Sequence, residues 1–193
     1  MLCDQLPAPE TVALRDGTPV LIRPIRPDDA VRLQSFHQRL SPESIYLRWL
    51  SAHPVLTAEE AADLSNLDYS SRMAFVATLA PGAAGDDHTG SIIGVARYAI
   101  AHPQRPHEAE AAVVVADAYQ RQGLGGQLLR RLLAYARAQG MATWVAEINA
   151  QNAPMMRFIR RGGLPITKRL ESGSWQVSID ITGAPPLTPY LSP

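Results

Sequence analysis

The sequence predicts an α/β protein of the α+β type, in which about four to five helices flank a central, mixed and mainly antiparallel sheet of about six to seven strands. Strand-like and helix-like segments alternate along residues 14–182. The apolar run Val113 to Val115 leads through a glycine-rich turn into a leucine-striped helix. A length of 193 residues suits one domain, with residues 1–13 and the proline-rich residues 183–193 as tails.

The first half of the domain begins with a turn and continues with helices. An Asp-Gly pair at residues 16–17 is a turn signal, and the β-rich residues 20–23 after it predict a strand. Asp28 is the expected N-cap of a first helix. Residues 41–43 place a capping serine before a proline, and residues 57–60 form a capping box. We therefore expect one strand followed by three helical segments.

The second half consists mainly of strands. Residues 73–79 and 91–100 form an expected antiparallel pair, because the flexible loop of residues 80–90 is too short for a crossover. The remaining predicted elements are strands at 108–115, 143–148, 165–170 and 174–181 and helices at 124–140 and 153–161. The unbroken valines of residues 113–115 predict burial on both faces of the sheet.

Composition and charge narrow the function. Eighteen basic residues balance eighteen acidic ones, so the chain lacks the positive field of a nucleic-acid binder. The single cysteine, Cys3, forms no internal disulfide, and the N-terminus lacks a signal-peptide pattern. No apolar run approaches the ~18 residues of a membrane helix. We expect a cytoplasmic protein without nucleic-acid or membrane partners. We also expect no metal site, since the spacing of the histidines is not that of metal ligands. The composition is compatible with a homodimer.

The turn after the valine run is the most informative segment. Residues 120–126 open a helix with three glycines, where unpaired N–H groups and the positive end of the helix dipole favour phosphate. A P-loop requires lysine after the last glycine, and this chain has Gln127. A dinucleotide fingerprint requires a small residue where this chain has Leu128. A glycine-softened loop entering a core helix is the alternative without a ligand.

The pattern Gln120-x-x-Gly123-x-Gly125 resembles the coenzyme A pyrophosphate loop of the GNAT superfamily of N-acetyltransferases. Residues 152–155, Asn-Ala-Pro-Met, and residues 161–164, Arg-Gly-Gly-Leu, resemble the second motif of that family. The likeness extends over residues 18–182. It implies the GNAT fold and acetyl-CoA as co-substrate and acetyl donor.

A narrower likeness concerns the acceptor. Residues 15–17, 22–30, 40–46 and 109–115 are similar to the acetyltransferase domain of bacterial protein lysine acetyltransferases. That resemblance implies transfer of an acetyl group to a primary amine, above all a protein lysine side chain. A small-molecule amine as acceptor and a coenzyme A-binding module without turnover are the alternatives.

The resemblance also implies roles for single residues. A lysine ammonium titrates near pH ~10.4, so a base must remove its proton, and Glu110 stands where the subgroup has its proposed general base. Neighbouring alanines give Glu110 room and an apolar setting; Glu108, on the same strand face, is the rival. The backbone of Val113 and Val115 would hold the pantetheine arm, and Asn152 would contact that arm or cap its helix. The predicted coenzyme-binding loop consists of Gln120, Arg121, Gln122, Gly123, Leu124, Gly125 and Gly126.

Two positions depart from the family pattern. Many members have a tyrosine as general acid for the leaving thiolate where this chain has Ile159, and an aromatic residue where it has Leu164. A thiol of pKa ~8.5 leaves with little help, so the missing tyrosine does not exclude activity. Lys168 is the only lysine, so self-acetylation is confined to it and the N-terminal amine.

Overall fold

The structure, a computed structural model, describes residues 6–80 and 90–183. In these ranges the strands are β1 (Glu10–Ala13), β2 (Pro19–Pro24), β3 (Arg72–Leu79), β4 (Ile92–Ala99), β5 (Glu108–Val115), β6 (Thr143–Asn149), β7 (Ile166–Glu171) and β8 (Ser174–Asp180). The helices are α1 (Ala30–Gln38), α2 (Pro42–Trp49), α3 (Ala58–Ser65), α4 (Leu124–Ala138) and α5 (Ala153–Arg161). The predicted α+β class is confirmed.

All strands of the described chain belong to one sheet in the order β1-β2-β3-β4-β5-β6-β8-β7. Neighbouring strands run antiparallel, except that β5 and β6 run parallel. A parallel pair needs a long crossover connection, and α4 provides it between these two strands. The sheet is therefore mixed and mainly antiparallel, as predicted, with eight strands, one more than the upper estimate.

The extra strand corrects the predicted N-terminal tail. Residues 10–13, assigned to that tail, pair with β2, and the predicted turn at residues 16–17 connects the two strands. Gly17 has φ +88°, and the Leu14 N–H donates to the Thr18 carbonyl at 2.9 Å. A strand of four residues is too short to show an alternating pattern in the sequence, and its backbone pairing with β2 holds it in place. Residues 81–89 of the predicted loop and 184–193 of the C-terminal tail lie outside the described residues.

A layer of helices covers each face of the sheet. Leu128 and Leu132 of α4 are fully buried in one core with Phe75 of β3. Leu33 and Phe36 of α1 form a second core on the opposite face, together with side chains from β3 and β4. Burial of each such side chain contributes about 1.5–3 kcal/mol. The two cores fix the sheet between the α4–α5 layer and the α1–α3 layer.

Two predicted helix caps are confirmed and one is wrong. The Ser41 hydroxyl accepts the Ser44 N–H at 3.1 Å, and Thr57 and Glu60 form a reciprocal capping box. Asp28, the expected cap of α1, lies instead in a short 3-10 turn of residues 27–29 before that helix. The reason is that the neighbouring carboxylate, Asp29, turns inward and takes a buried partner.

Asp29 joins β2 to the start of α1. Its side chain is fully buried. The carboxylate accepts hydrogen bonds from both terminal guanidinium nitrogens of Arg23, at 2.6 and 2.7 Å, and from the Arg26 N–H at 2.9 Å. Burial acts to raise the pKa of Asp29, but the hydrogen bonds from Arg23 and Arg26 outweigh it, so the pKa lies below its ordinary value. The ionised carboxylate thus stabilises the fold.

We predict that Asp29→Asn lowers the free energy of unfolding by about 3 kcal/mol at neutral pH, because it leaves Arg23 buried beside a neutral partner. The folded pKa of Asp29 lies below its ordinary value of 3.8, so its stabilisation is complete above that pH and is lost as pH falls through the folded pKa. Urea unfolding at about pH 7 and about pH 2.5 measures the difference. An equal gap between wild type and variant at both values would contradict the assignment.

Candidate active site

The two central strands separate soon after they pair. β6 matches β5 only along residues 108–110, opposite residues 143–145, although β5 continues to Val115 beside β4. β6 meanwhile follows β8 along its whole length. From Glu110 onward β5 and β6 therefore diverge and leave a wedge-shaped gap in the sheet.

A cleft that opens to solvent occupies this gap, and α2 and α5 contribute to its walls. Its apolar lining includes Ala111, Val113, Val145, Ala146, Met155 and Ile159. Residues 113–115 are only half-buried, so the prediction that they are buried on both faces is wrong. The physical reason is the divergence, which removes β6 as a neighbour of this part of β5.

The backbone of β5 presents polar groups to the cleft. The Ala116 N–H donates to the Ile93 carbonyl at 2.9 Å, so the alternation of an antiparallel pair assigns the β4-facing bonds to Val114 as well. The peptide groups of Val113 and Val115 then turn away from β4, toward the cleft. The Val115 carbonyl accepts a hydrogen bond from the Gln120 side-chain amide at 3.1 Å, whereas Val113 lies beyond the residues of β5 that pair with β6.

The predicted phosphate loop has the geometry of an anion cradle. Arg121 and Gly123 have φ of +60° and +88°, and α4 begins directly after them. The Gln127 N–H bonds to the Gly123 carbonyl at 3.2 Å, but within the described chain the N–H groups of residues 121–126 have no backbone acceptor. They lie at the positive end of a helix of 15 residues, so an anion there gains both hydrogen bonds and a favourable dipole.

The start of α2 supports this loop on one side. The Asp117 carboxylate accepts the Ser41 N–H at 2.9 Å and the hydroxyls of Ser41 and Ser44 at 2.7 and 2.8 Å. The Gln120 amide donates to the Ser44 hydroxyl at 3.1 Å. Burial acts to raise the pKa of Asp117, but the hydrogen bonds from the two serines outweigh it and hold the pKa below its ordinary value. Sequence reasoning missed Asp117, because its partners lie 73 and 76 residues away.

The turn between β1 and β2 supports the loop on the other side. The Arg15 N–H donates to the Gln122 carbonyl, and the Arg15 guanidinium donates to the Arg121 carbonyl, each at 3.3 Å. A trans peptide points its carbonyl and N–H in opposite directions. The two carbonyls that face this turn therefore leave the N–H groups of the same peptides on the opposite side, where an anion can bind.

Glu110 lies at the vertex of the gap, as the last β5 residue with a partner on β6. Its side chain is exposed, so the predicted apolar setting is wrong. The reason is that the pairing with β6 ends at this residue and that the neighbouring alanines are too small to cover it. Its charge attracts Arg48 of α2 and acts to raise the pKa of that residue, although burial, the larger effect, lowers it. The rival Glu108 is ion-paired with Arg105 at 3.1 Å, which favours Glu110 as the free carboxylate.

The second motif supplies the far wall of the cleft. Asn152 lines the cleft and caps α5, since its side-chain oxygen accepts the Met155 N–H at 3.0 Å. The predicted cap is confirmed, and the oxygen of the amide is engaged in it. Ile159 also lines the cleft, so the position of the family's tyrosine is apolar here. Leu164 packs against the core on the α4 side of the sheet.

Within residues 6–80 and 90–183, no group of three or more histidine, cysteine, aspartate or glutamate side chains is arranged to hold a metal ion. None of the helices in the same ranges combines the length and the apolar character needed to cross a bilayer.

A diverging parallel strand pair, an open strand edge and an anion cradle at a helix start suit a long ligand that carries a phosphate group. The sequence profile of the acetyltransferase (GNAT) family matches residues 43–163, and the chain belongs to this family. It is an acetyltransferase with the GNAT fold, and the family uses acetyl-CoA.

Relatives agree with this assignment. A protein of Pseudomonas aeruginosa named as an acetyltransferase is 34% identical over 143 residues, which are 74% of this chain and 73% of that protein. Acetyltransferase Pat of Mycolicibacterium smegmatis is 26% identical over 173 residues, which are 90% of this chain and 49% of that protein. The crystal structure of the GNAT domain of S. lividans PAT matches with a TM-score of 0.80 and 30% identity, covering 91% of this chain and 99% of that domain.

We predict that Gly125→Ala and Gly123→Ala weaken acetyl-CoA binding tenfold or more but differ in stability. A Cβ on Gly125 would meet only Val115, at 3.8 Å, and alanine is the better helix former, so the melting temperature should stay level or rise. Gly123 has φ +88°, so alanine there destabilises the fold by about 1 kcal/mol and should lower the melting temperature. Calorimetric titration and thermal melts measure both effects. Unchanged acetyl-CoA affinity in Gly125→Ala would support the ligand-free core-helix alternative.

Proposed function

We propose that this enzyme transfers an acetyl group from acetyl-CoA to the side-chain amine of a protein lysine. The observation that carries the proposal is the position of Glu110, at the vertex where β5 and β6 part and beside the cleft that leads to the anion cradle. The motifs similar to bacterial protein lysine acetyltransferases support lysine as the acceptor. A small-molecule amine is the second candidate.

The residues present fit coenzyme A. Its pyrophosphate matches the free N–H groups of residues 121–126, and its amide-containing arm matches the open backbone of Val113 beside an apolar wall. Asn152 has its Nδ2 group left for the same arm, because only its oxygen caps α5. When bound, the coenzyme supplies an acetyl group activated as a thioester.

Glu110 is the proposed general base. Only the neutral amine is nucleophilic, so the carboxylate takes the ammonium proton directly or through a water molecule as the amine approaches the acetyl group. Exposure of Glu110 allows that proton to pass on to solvent. Ile159 offers no hydroxyl for the departing thiolate, so solvent supplies the final proton to sulfur.

We predict that Glu110→Gln lowers kcat about 100-fold at neutral pH, because the amide keeps the shape of the carboxylate and loses its basicity. Acetyl-CoA affinity should stay close to that of the wild type. Glu108→Gln is the matched control on the same strand face and should retain most of the turnover. Undiminished turnover in Glu110→Gln would remove this residue from the mechanism.

Amine-dependent thiol release distinguishes an enzyme from a binding module. The protein is titrated with acetyl-CoA in a calorimeter, and release of free thiol is then followed with a lysine-containing peptide and with a simple alkylamine. Faster release with the peptide supports a protein acceptor, and faster release with the alkylamine supports the small-molecule alternative. Binding of acetyl-CoA without any amine-dependent release would refute the proposed function.

Lys168 lies far from Glu110 in the sheet. It is on β7, and both β6 and β8 separate that strand from β5. Its partner across the pair is Val177, which is buried in the core on the α4 side, whereas Glu110 shares the opposite face with Val114. The Lys168 ammonium lies over the Trp175 ring at 3.8 Å.

We therefore predict slow self-acetylation at Lys168, much slower than acetylation of a protein acceptor, since the amine reaches Glu110 only in a second molecule. Mass spectrometry of the enzyme after incubation with acetyl-CoA alone measures the modified fraction. Rapid and stoichiometric acetylation at Lys168 that is independent of enzyme concentration would contradict the geometry.

A further inference from the structure

A second cavity, open to solvent on one side, lies on the α1–α3 face of the sheet. Glu110 lies on the same face, because its side chain alternates in step with that of Val114. Two arginines line it from different elements: Arg48 from α2 and Arg97 from β4. Ala112 and Val114 of β5 form part of its floor. Arg48 lines the coenzyme cleft as well, so this residue stands where the two cavities meet.

Neither arginine forms a salt bridge in the described chain, although the charge of Glu110 attracts Arg48. Arg97 donates one hydrogen bond, to the Leu64 carbonyl at 3.2 Å. The nearby Asp63 is taken by Arg72 through two contacts of 2.7 and 2.9 Å. Arg48 lies over the Trp49 ring, 4.7 Å from its centroid, and no hydrogen bond or salt bridge within the described residues reaches it.

The position of these two cations is electrostatically unfavourable. Burial, the largest effect, acts together with the charges of Arg48 and Arg72 to lower the pKa of Arg97 to about 9, against the weaker attraction of Asp63. Both arginines are half-buried, and a charge that is withdrawn from water without a partner costs desolvation energy. The fork of a guanidinium matches a carboxylate in shape as well as in charge. An anion in this cavity would relieve both the desolvation and the mutual repulsion.

On the basis of the proposed function, we propose that the acceptor carries a carboxylate near its reactive amine, and that Arg48 and Arg97 bind this carboxylate while Glu110 faces the amine. The carboxylate has two possible sources: the α-carboxylate of a free amino acid, or an acidic side chain beside a lysine in a protein. The same arginines repel an acceptor that brings only positive charge, which adds selectivity. The two arginines are thus specificity residues for the acceptor.

Two pairs of acceptors test the proposal, each pair differing in one carboxylate. L-lysine is compared with 1,5-diaminopentane, and a peptide with glutamate beside its single lysine is compared with the same peptide carrying glutamine. We measure kcat/KM at saturating acetyl-CoA for the wild type, Arg48→Gln, Arg97→Gln and the control Arg169→Gln, which changes an exposed arginine on β7. The acidic member of at least one pair should be preferred tenfold or more by the wild type and by the control. In Arg48→Gln and Arg97→Gln, the ratio of the two kcat/KM values within that pair should fall toward one.

The ratio within a pair is independent of the concentration of active enzyme, so partial unfolding of Arg97→Gln does not imitate the expected result. Preference in the first pair alone identifies a free amino acid and replaces the protein lysine with the small-molecule alternative, and preference in the second pair alone identifies an acidic protein segment. Equal rates within both pairs for the wild type, or an unchanged preference in both cavity variants, would overturn the inference. Absence of thiol release with all four acceptors would instead refute the proposed function. In that case, calorimetric titration of the enzyme loaded with coenzyme A with each of the four acceptors tests the cavity by itself: tighter binding of the acidic member of a pair supports the carboxylate site, and equal binding within both pairs contradicts it.

Discussion

The separation of β5 from β6 after three matched residues is the constraint on which the rest of the site depends. Backbone groups inside a sheet normally satisfy each other, and a gap in the ladder leaves them to water or to a ligand. Here the gap opens along an apolar strand, so a ligand that contributes both amides and methylene groups suits it better than water. The position of Glu110 follows from the same geometry, because the last paired residue lies where the two strands begin to part.

The loop at the start of α4 shows how distant segments organise one local site. Its carbonyls are held by the turn between β1 and β2, and Asp117 just before it holds the first turn of α2. Both supports leave the N–H groups of residues 121–126 directed at the same space. Because α2 also carries Arg48, the cradle and the acceptor cavity share one helix, and a substitution that moves this helix affects both.

Much of the fold was readable from local pattern, and the failures share one physical cause. The hairpin of β3 and β4, the helix of residues 124–138 and the caps at Ser41 and Thr57 all depend on neighbouring residues, and all are confirmed. The errors concern features set by contacts with other elements of the fold. Asp29 rather than Asp28 is the structural carboxylate because Arg23 reaches it from β2. Similarly, the sequence around residues 113–115 does not indicate that they are half-buried, and the sequences around Arg48 and Arg97 do not indicate that the two arginines line one cavity.

An open sheet has two edges, and each edge exposes a row of backbone groups on which a foreign strand can pair. At one end β1 is only four residues long, which limits the length of any added ladder. At the other end β7 is exposed over five of its six residues, and its outer positions include Lys168, Arg169 and Glu171. Charges at such positions oppose aggregation, because a strand that docked there would have to desolvate them. Acetylation of Lys168 would remove one of these charges, so a chemical modification at the edge would bear on the solubility of the protein rather than on its catalysis.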